Sequence, residues 1–303
     1  MKPSFDMTQP ERAALAAKLR EKELIPSIVT PEMEESLSRV SVREDNVPTR
    51  FGPSHVFFVD PRDAEDKRPL YINFHGGGFV RGYGRRDTVF CAQVAARVGC
   101  SVIDVDYRVA PEFTFPTAHH ECYDVVAWAF DNASRLGIDP DRIAVGGHSA
   151  GGNLAAAICL MANESGQFRP CGQVLDYPFV DAVTDPAKKL DPRGAMPVER
   201  MVAFNVLYGE RPENLKNPLL SPVEADPAML DGLPPALMIL AGRDGLRFEA
   251  QRYAAMLIAA GVDISVRTFA ESDHGFTITG HDAWRRAREA IFAWLGDNFQ
   301  RDK

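Results

Sequence analysis

The sequence predicts an α/β protein in which a mainly parallel β-sheet is covered by helices on both faces. From about residue 55 onward, short apolar runs alternate with segments of helical periodicity, which is typical of parallel strands joined by crossover helices. Several of these runs are continuously apolar, as expected for strands buried on both faces. Of the 303 residues, 45% are hydrophobic, which is enough apolar material for a large core.

Eight strands are expected along the chain. Seven are short, largely apolar runs, at His55–Val59, Leu70–Phe74, Ser101–Asp106, Arg142–Gly146, Gln173–Tyr177, Ala236–Ala241 and Ile264–Phe269. Val40–Arg43 is the candidate for a further, short edge strand.

Helices are expected between these strands. One follows Thr88, which is a plausible N-cap, and Ala150–Met161 is apolar on nearly every face, so we expect it to be buried. Further helices are predicted over Cys122–Ala133, Glu249–Ala260 and Asp282–Leu295.

Two regions interrupt the alternation within a single domain that spans residues 1–303. The first is about residues 1–50, where Thr8 and Glu11 form a capping box and Thr30-Pro31 begins a second helix. The second is the insertion 181–218. Its helical stripe contains Val198, Met201, Phe204 and Tyr208. Periodicity alone leaves two interpretations of that stripe, a helix docked on the body and a lid over a site at the strand ends.

Charge and cysteine content indicate what the protein does not bind and where it works. With a net charge of −8, the chain lacks the positive field that attracts nucleic acid or anionic lipid. No apolar run reaches the roughly 18 residues of a membrane span, and no hydrophobic signal core follows Met1. The five cysteines are odd in number and lack Cys-x-x-Cys spacing, so we expect reduced thiols in a cytoplasmic protein.

The segment Gly147-His148-Ser149-Ala150-Gly151 follows a predicted strand and begins the buried helix. Gly-x-Ser-x-Gly in that context is typical of a nucleophile elbow, where the turn is so sharp that its flanking residues must be nearly free of side chain. Ser149 would then lie at the end of the sheet beside a positive helix N-terminus. The pattern therefore predicts that Ser149 is a nucleophile.

A second glycine cluster, His75-Gly76-Gly77-Gly78-Phe79, follows the strand Leu70–Phe74. Consecutive glycines let backbone N–H groups approach a ligand closely and stabilise a developing oxyanion. A phosphate-binding loop is the rival interpretation. It is disfavoured because the cluster lacks a Gly-Lys-Ser/Thr sequence and does not lead directly into a helix.

An acid and a base follow two later strands. Asp244 lies beyond Ala236–Ala241, and His274 lies beyond Ile264–Phe269. The chain order Ser149, Asp244, His274 predicts a triad in which His274 takes the serine proton and Asp244 orients the imidazole. His148, His119, His120, His281 and Asp273 are assigned structural roles.

Five segments in this order resemble the hormone-sensitive-lipase-like family of α/β-hydrolase esterases, over about residues 55–295. They are His75–Gly78, Tyr107–Glu112 with Phe115-Pro116, Gly147–Leu154, Asp244–Arg247 and His274–Phe276. The resemblance implies an α/β-hydrolase fold with an eight-stranded, mostly parallel sheet and a helical cap, which would be formed by about residues 1–50 and the insertion 181–218. It further implies oxyanion donors at Gly77, Gly78 and Ala150, and structural support from the Tyr107–Glu112 stretch. It also implies a preference for short acyl chains.

His148 departs from the family pattern, which usually has an acidic or small residue before the nucleophile. A protonated imidazole there would alter the electrostatics of the elbow, so we expect a changed pH dependence and not a loss of activity. An unchanged pH–rate profile in His148→Asp would contradict this expectation.

The sequence therefore predicts a lipolytic serine hydrolase of carboxylesterase type, acting on small esters through an acyl-enzyme with neither metal nor cofactor. Candidate pocket residues are Phe79, Phe179, Phe204, Tyr208 and Phe276. Amide or peptide hydrolysis by the same triad is the alternative, and a non-catalytic small-molecule receptor is the alternative of another class. The apolar strand Ile264–Phe269 makes a homodimer a hypothesis, which a monomeric mass in light scattering would reject.

Overall fold

A computed structural model describes residues 3–21, 27–63, 66–189 and 196–300. The predicted sheet is confirmed, with eight strands in the order β1-β2-β4-β3-β5-β6-β7-β8. Its strands are β1 Val40–Thr49, β2 Gly52–Pro61, β3 Arg68–Phe74, β4 Ser101–Asp106, β5 Ile138–His148, β6 Gly172–Asp176, β7 Ala236–Ala241 and β8 Ile264–Phe269. Strands β1 and β2 pair antiparallel, as do β2 and β4, and every other neighbouring pair is parallel. This is the α/β-hydrolase fold that the sequence predicts.

The helices cover both faces of the sheet. They are α1 Gln9–Glu21, α2 Pro31–Ser38, α3 Arg85–Val98, α4 Thr117–Asp131, α5 Ala133–Leu136, α6 Ala150–Ser165, α7 Val198–Gly209, α8 Pro227–Leu230, α9 Arg247–Ala259, α10 Phe276–Thr279 and α11 Trp284–Phe299. Short 3₁₀ turns lie at Pro186–Lys188, Pro212–Lys216 and Pro222–Glu224.

Alternation along the strands divides the core into two apolar clusters. On β3, Leu70, Ile72 and Phe74 belong to the cluster that includes buried side chains of α4, α6 and α9. Tyr71 belongs to the opposite cluster, which contains buried side chains of α2, α3 and α11. Both faces of the central strands are therefore buried, which explains their continuously apolar sequences.

Several predicted boundaries were wrong. β1 runs for ten residues instead of four, so residues 40–49 belong to the sheet and not to a cap. Its side chains are mostly exposed and polar, and an apolar run cannot reveal such a strand. Helix α3 begins at Arg85 and not after Thr88, because the Asp87 carboxylate caps the helix by accepting from the Gly84 N–H at 3.0 Å. Of the predicted cap segments, residues 1–2, 22–26 and 190–195 lie outside the described residues.

Helices α1 and α7 pack against each other at the carboxyl end of the sheet. The buried guanidinium of Arg12 donates to the carbonyls of Val206 at 2.6 Å and Glu210 at 3.3 Å. α7 lies over the glycine cluster, because a Cβ added at Gly78 would meet the ring of Phe204. Among the described residues, no helix is both long and apolar enough to cross a membrane.

Candidate active site

Four segments converge at the carboxyl edge of the sheet. Ser149 follows β5, the glycine cluster His75–Gly78 follows β3, and Asp244 and His274 follow β7 and β8. These four strands run in the same direction, so their carboxyl ends lie along one edge. The fold thereby brings together residues that are far apart in the chain.

Ser149 occupies a sharp turn between β5 and α6. Its φ of 55° is unusual for a residue other than glycine, and the hydrogen bond from its N–H to the Asp176 carbonyl at 2.9 Å holds it there. A Cβ at Gly147 or at Gly151 would collide with the Phe74 backbone. The Gly-x-Ser-x-Gly spacing is therefore a steric requirement of this turn. It places the hydroxyl at the positive N-terminus of α6.

A hydrogen-bonded relay joins the three predicted triad residues. His274 Nε2 lies 3.0 Å from Ser149 Oγ, and His274 Nδ1 lies 2.6 Å from Asp244 Oδ2. Because an ionised carboxylate can only accept, Asp244 fixes the proton on Nδ1 and leaves Nε2 to accept from the serine hydroxyl. This is the geometry in which an imidazole can deprotonate a serine.

Asp244 also sets the proton affinity of His274. Burial alone lowers the pKa of the imidazole, but the charge of the Asp244 carboxylate and its hydrogen bond oppose that effect, and the net pKa is raised above its ordinary value. The Tyr177 ring meets the imidazole edge-on at 4.9 Å. The base therefore needs a higher pH than a free histidine to become neutral.

Tyr107 stabilises the glycine cluster through two contacts with His75. The Tyr107 hydroxyl donates to the His75 carbonyl at 2.8 Å, and the two rings stack at 4.0 Å. Arg108 and Glu112 do not enter the site. Arg108 forms an ion pair with Glu121, and Glu112 forms one with Arg20. The contacts agree with structural support from this stretch.

Three backbone donors remain unused beside Ser149. The N–H groups of Gly77, Gly78 and Ala150 donate to no acceptor among the residues that the structure describes. Gly77 and Gly78 have φ values of 127° and 63°, a region that side chains disfavour. An oxyanion site requires backbone N–H donors of this kind, without an acceptor and next to the nucleophile.

Two cavities meet at Ser149. The larger has a volume of about 360 Å³ and lies on the side of His274, with Gly275, Ile278 and Arg200 in its wall. The smaller has a volume of about 30 Å³ and is lined mainly by apolar side chains, including Phe79, Phe179, Tyr208 and Leu246. Met196, Gly78 and Phe204 border both cavities.

Of the five predicted pocket residues, the structure places Phe79, Phe179, Phe204 and Tyr208 on cavity walls. Phe276 is the exception and lines neither cavity. It begins the short helix α10, is 0% exposed and packs against Phe269 at 5.4 Å between ring centres. The prediction for Phe276 was wrong, because its side chain points into the core at the start of α10.

Tyr208 presents its ring, and not its hydroxyl, to the smaller cavity. His119 Nε2 lies within 3.0 Å of both the Leu219 carbonyl and Asn153 Oδ1, so Nε2 carries the proton and Nδ1 accepts from the Tyr208 hydroxyl at 2.7 Å. Burial lowers the pKa of His119 to about 4, which keeps the ring neutral. The Tyr208 ring stacks on Phe79 at 4.1 Å, and His119 has the structural role predicted for it.

Sequence reasoning missed Arg200 and Met196 in the cavity walls. Arg200 lies in α7 between two residues of the predicted apolar stripe, yet its side chain is 9% exposed and borders the larger cavity. In the sequence, Arg200 is simply a charged residue next to an apolar stripe. Such a residue ordinarily lies on the solvent face of a helix, so nothing in the sequence marked it as part of a cavity.

His148 faces away from the serine and binds Asp176. Its Nδ1 lies 2.9 Å from Asp176 Oδ2, which also accepts from the Thr277 hydroxyl at 2.5 Å. Both side chains are almost completely buried, at 2% and 1% exposure. The network ties the elbow to β6 and α10.

We expect His148→Asp to destabilise the protein in addition to changing its pH–rate profile. The substitution replaces the hydrogen-bond partner of Asp176 with a second buried carboxylate, and leaving a buried polar group without its partner costs about 1–3 kcal/mol. Urea unfolding monitored by circular dichroism would measure the loss. His55→Asp on the partly exposed β2 is the matched control. Equal stability of parent and His148→Asp would contradict the expected repulsion.

Comparison with known proteins agrees with the fold. Residues 71–278 match a family profile described as the alpha/beta hydrolase fold. An arylesterase of Saccharolobus solfataricus is 37% identical over 196 residues, which is 64% of this chain and 63% of that protein. The carboxylic ester hydrolase LipN of Mycobacterium tuberculosis is 35% identical over 216 residues, which is 69% of this chain and 57% of that protein. The aligned regions thus span less than two thirds of these two relatives.

Solved structures extend the likeness to nearly the whole chain. An esterase from Pyrobaculum calidifontis superposes with a TM-score of 0.80 at 31% identity, covering 98% of this chain and 95% of that one. The fold and the site define an α/β hydrolase. The chain belongs to the hormone-sensitive-lipase-like branch of that family, which confirms the resemblance inferred from its motifs.

Proposed function

We propose that the protein is a serine carboxylesterase that hydrolyses short-chain esters through an acyl-enzyme intermediate. The observation that carries this proposal is the relay from Ser149 through His274 to Asp244, with distances of 3.0 Å and 2.6 Å. It is supported by membership of a family whose relatives include an arylesterase and a carboxylic ester hydrolase.

The proposed reaction uses this chain's own groups at each step. His274 Nε2 takes the Ser149 proton as Oγ attacks the ester carbonyl, and the N–H groups of Gly77, Gly78 and Ala150 stabilise the oxyanion. The resulting imidazolium, stabilised by Asp244, then protonates the departing alkoxide. Water, activated by the same histidine, attacks the acyl-serine and releases the acid.

Proton delivery assigns the two limbs of the ester to the two cavities. The leaving oxygen must lie within reach of His274 Nε2, so the alcohol limb is directed to the larger cavity, whose wall contains His274. The acyl limb then enters the smaller, apolar cavity. A volume of about 30 Å³ leaves room for only a few heavy atoms, which favours short acyl chains.

The direct test is hydrolysis of p-nitrophenyl esters from acetate to laurate, with p-nitroanilides of the same acids assayed in parallel. We expect turnover to peak at the short esters and to exceed that of the matched anilides. Turnover of anilides but not esters would favour the amidase alternative. The absence of turnover on both series would favour a receptor.

Phe179 is proposed to limit the length of the acyl chain. Its ring lines the smaller cavity, meets Phe79 edge-on at 6.4 Å and borders no part of the larger cavity. In Phe179→Ala we expect the preferred chain to lengthen and the ratio of hexanoate to acetate turnover to rise by roughly tenfold, given about 0.8 kcal/mol per buried methylene. Phe51→Ala, at an exposed phenylalanine, is the matched control. An unchanged ratio of hexanoate to acetate turnover would show that Phe179 does not limit the length of the acyl chain.

A cap built from residues 1–39 and 181–218 remains part of the proposal. Its support is the packing of α1 on α7 through Arg12, and the position of Phe204 over Gly78. The cytoplasmic location and the homodimer also remain predictions. For the homodimer, β8 lies at the edge of the sheet with Val266 40% exposed.

A further inference from the structure

The larger cavity contains a buried arginine that has no anionic partner. Arg200 is 9% exposed, and its Nε is buried without a hydrogen-bond partner. Its side chain forms no hydrogen bond or ion pair within the described part of the chain, and its only close contact of polar character is with the ring of Phe204, 5.2 Å away. A cationic side chain that is largely buried without an anion is costly, and such groups ordinarily have partners.

The surroundings of Arg200 make an external anion the natural partner. Arg81 and Arg86 line the same cavity, as do Asp87 and Asp273. Arg86 Nε lies 4.0 Å from Asp87 Oδ2. Asp87 is engaged as the cap of α3. Burial, together with the positive charges of Arg81 and Arg86, lowers the pKa of Arg200 to about 10, which leaves it cationic at neutral pH. A bound anion would offset both the cost of burying this charge and its repulsion by Arg81 and Arg86.

We propose that the larger cavity binds a carboxylate carried by the alcohol limb of the substrate, and that Arg200 is its ion-pair partner. This inference rests on the proposed esterase function, which directs the alcohol limb to that cavity. The substrate class is therefore an ester whose leaving group carries a carboxylate, such as an acylated hydroxy acid. The planar guanidinium can bind such a group through two parallel hydrogen bonds.

The test compares meta-acetoxybenzoate with meta-acetoxybenzamide, which differ in charge but hardly in shape. We expect the parent to favour the carboxylate in kcat/KM. In Arg200→Gln we expect the ratio of the two kcat/KM values to fall by about 10- to 100-fold, the range for losing a hydrogen-bonded charge pair. Arg200→Lys should restore part of the ratio. Arg211→Gln, which removes an exposed charge from the same insertion, should leave it unchanged.

Two further arms separate the possible failures. Mono-p-nitrophenyl glutarate and p-nitrophenyl pentanoate place the charge difference on the acyl limb, and an Arg200-dependent preference confined to this pair would overturn the limb assignment. Binding of meta-hydroxybenzoate and meta-hydroxybenzamide to Ser149→Ala, measured by calorimetry, needs no turnover. Equal binding of the two hydroxy compounds would overturn this inference but not the proposed function. The same holds if the parent hydrolyses both meta-acetoxy compounds with equal kcat/KM. Inactivity on every ester would instead overturn the proposed function.

Discussion

Replacing Ser149 by alanine is expected to lower kcat on p-nitrophenyl acetate by about 10⁴- to 10⁶-fold, because it removes the atom that attacks the ester carbonyl in the proposed mechanism. The hydroxyl is hydrogen-bonded to His274 at 3.0 Å, and in the described structure it supports no other part of the fold. The truncation should therefore leave the free energy of unfolding nearly unchanged. Weak residual turnover is expected, because the unused N–H groups at Gly77, Gly78 and Ala150 can still polarise a bound ester.

The matched control is Ser41→Ala on the exposed strand β1, where a serine hydroxyl is lost far from the site. It should keep the parent's kcat. A Ser149→Ala protein that folds normally and retains a tenth or more of the parent's turnover would show that another group attacks the ester.

Replacing Asp244 by asparagine is expected to lower kcat by about 10⁴-fold. The amide can donate to Nδ1 and so favours the tautomer with its proton on Nε2, which cannot accept from Ser149. A change in pH dependence should accompany the loss. The reaction needs neutral His274, so activity falls as the pH drops through the pKa of that imidazole, which Asp244 raises.

In Asp244→Asn the burial of His274 persists while the carboxylate is lost, so the acidic limb of kcat/KM should move to lower pH than in the parent. A pH profile of kcat/KM on p-nitrophenyl acetate measures both effects. Asp231→Asn, at an exposed carboxylate, is the control. If the acidic limb stays at the pH found for the parent, Asp244 does not raise the pKa of His274.

Strands β3 and β7, which lead to the glycine cluster and to Asp244, could be predicted because both of their faces are buried. The runs Leu70–Phe74 and Ala236–Ala241 were predicted almost residue by residue. The elbow was equally predictable, since Gly147 and Gly151 leave no room for a Cβ against the Phe74 backbone. Local sterics and periodicity therefore determine where Ser149, Asp244 and His274 lie along the strand ends.

Side-chain direction beyond those strand ends could not be predicted. Phe276 and His274 are two residues apart, yet one lies in the core and the other at the cavity, because the chain turns at Gly275, whose φ is 85°. Arg200 was overlooked because a charged residue on an amphipathic helix ordinarily faces water. Only the packing of α7 over the glycine cluster turns it inward. The two cavities result from contacts between distant segments, and no local pattern encodes them.

The most direct test of the central claim is covalent capture of the nucleophile. An activated p-nitrophenyl alkylphosphonate should react once per chain, release one equivalent of p-nitrophenol and abolish esterase activity. Mass spectrometry of the digested protein should then locate the phosphonyl group on Ser149, and the Ser149→Ala protein should remain unlabelled. Labelling of any other residue, with loss of activity while Ser149 stays unmodified, would contradict the assignment of Ser149 as the nucleophile.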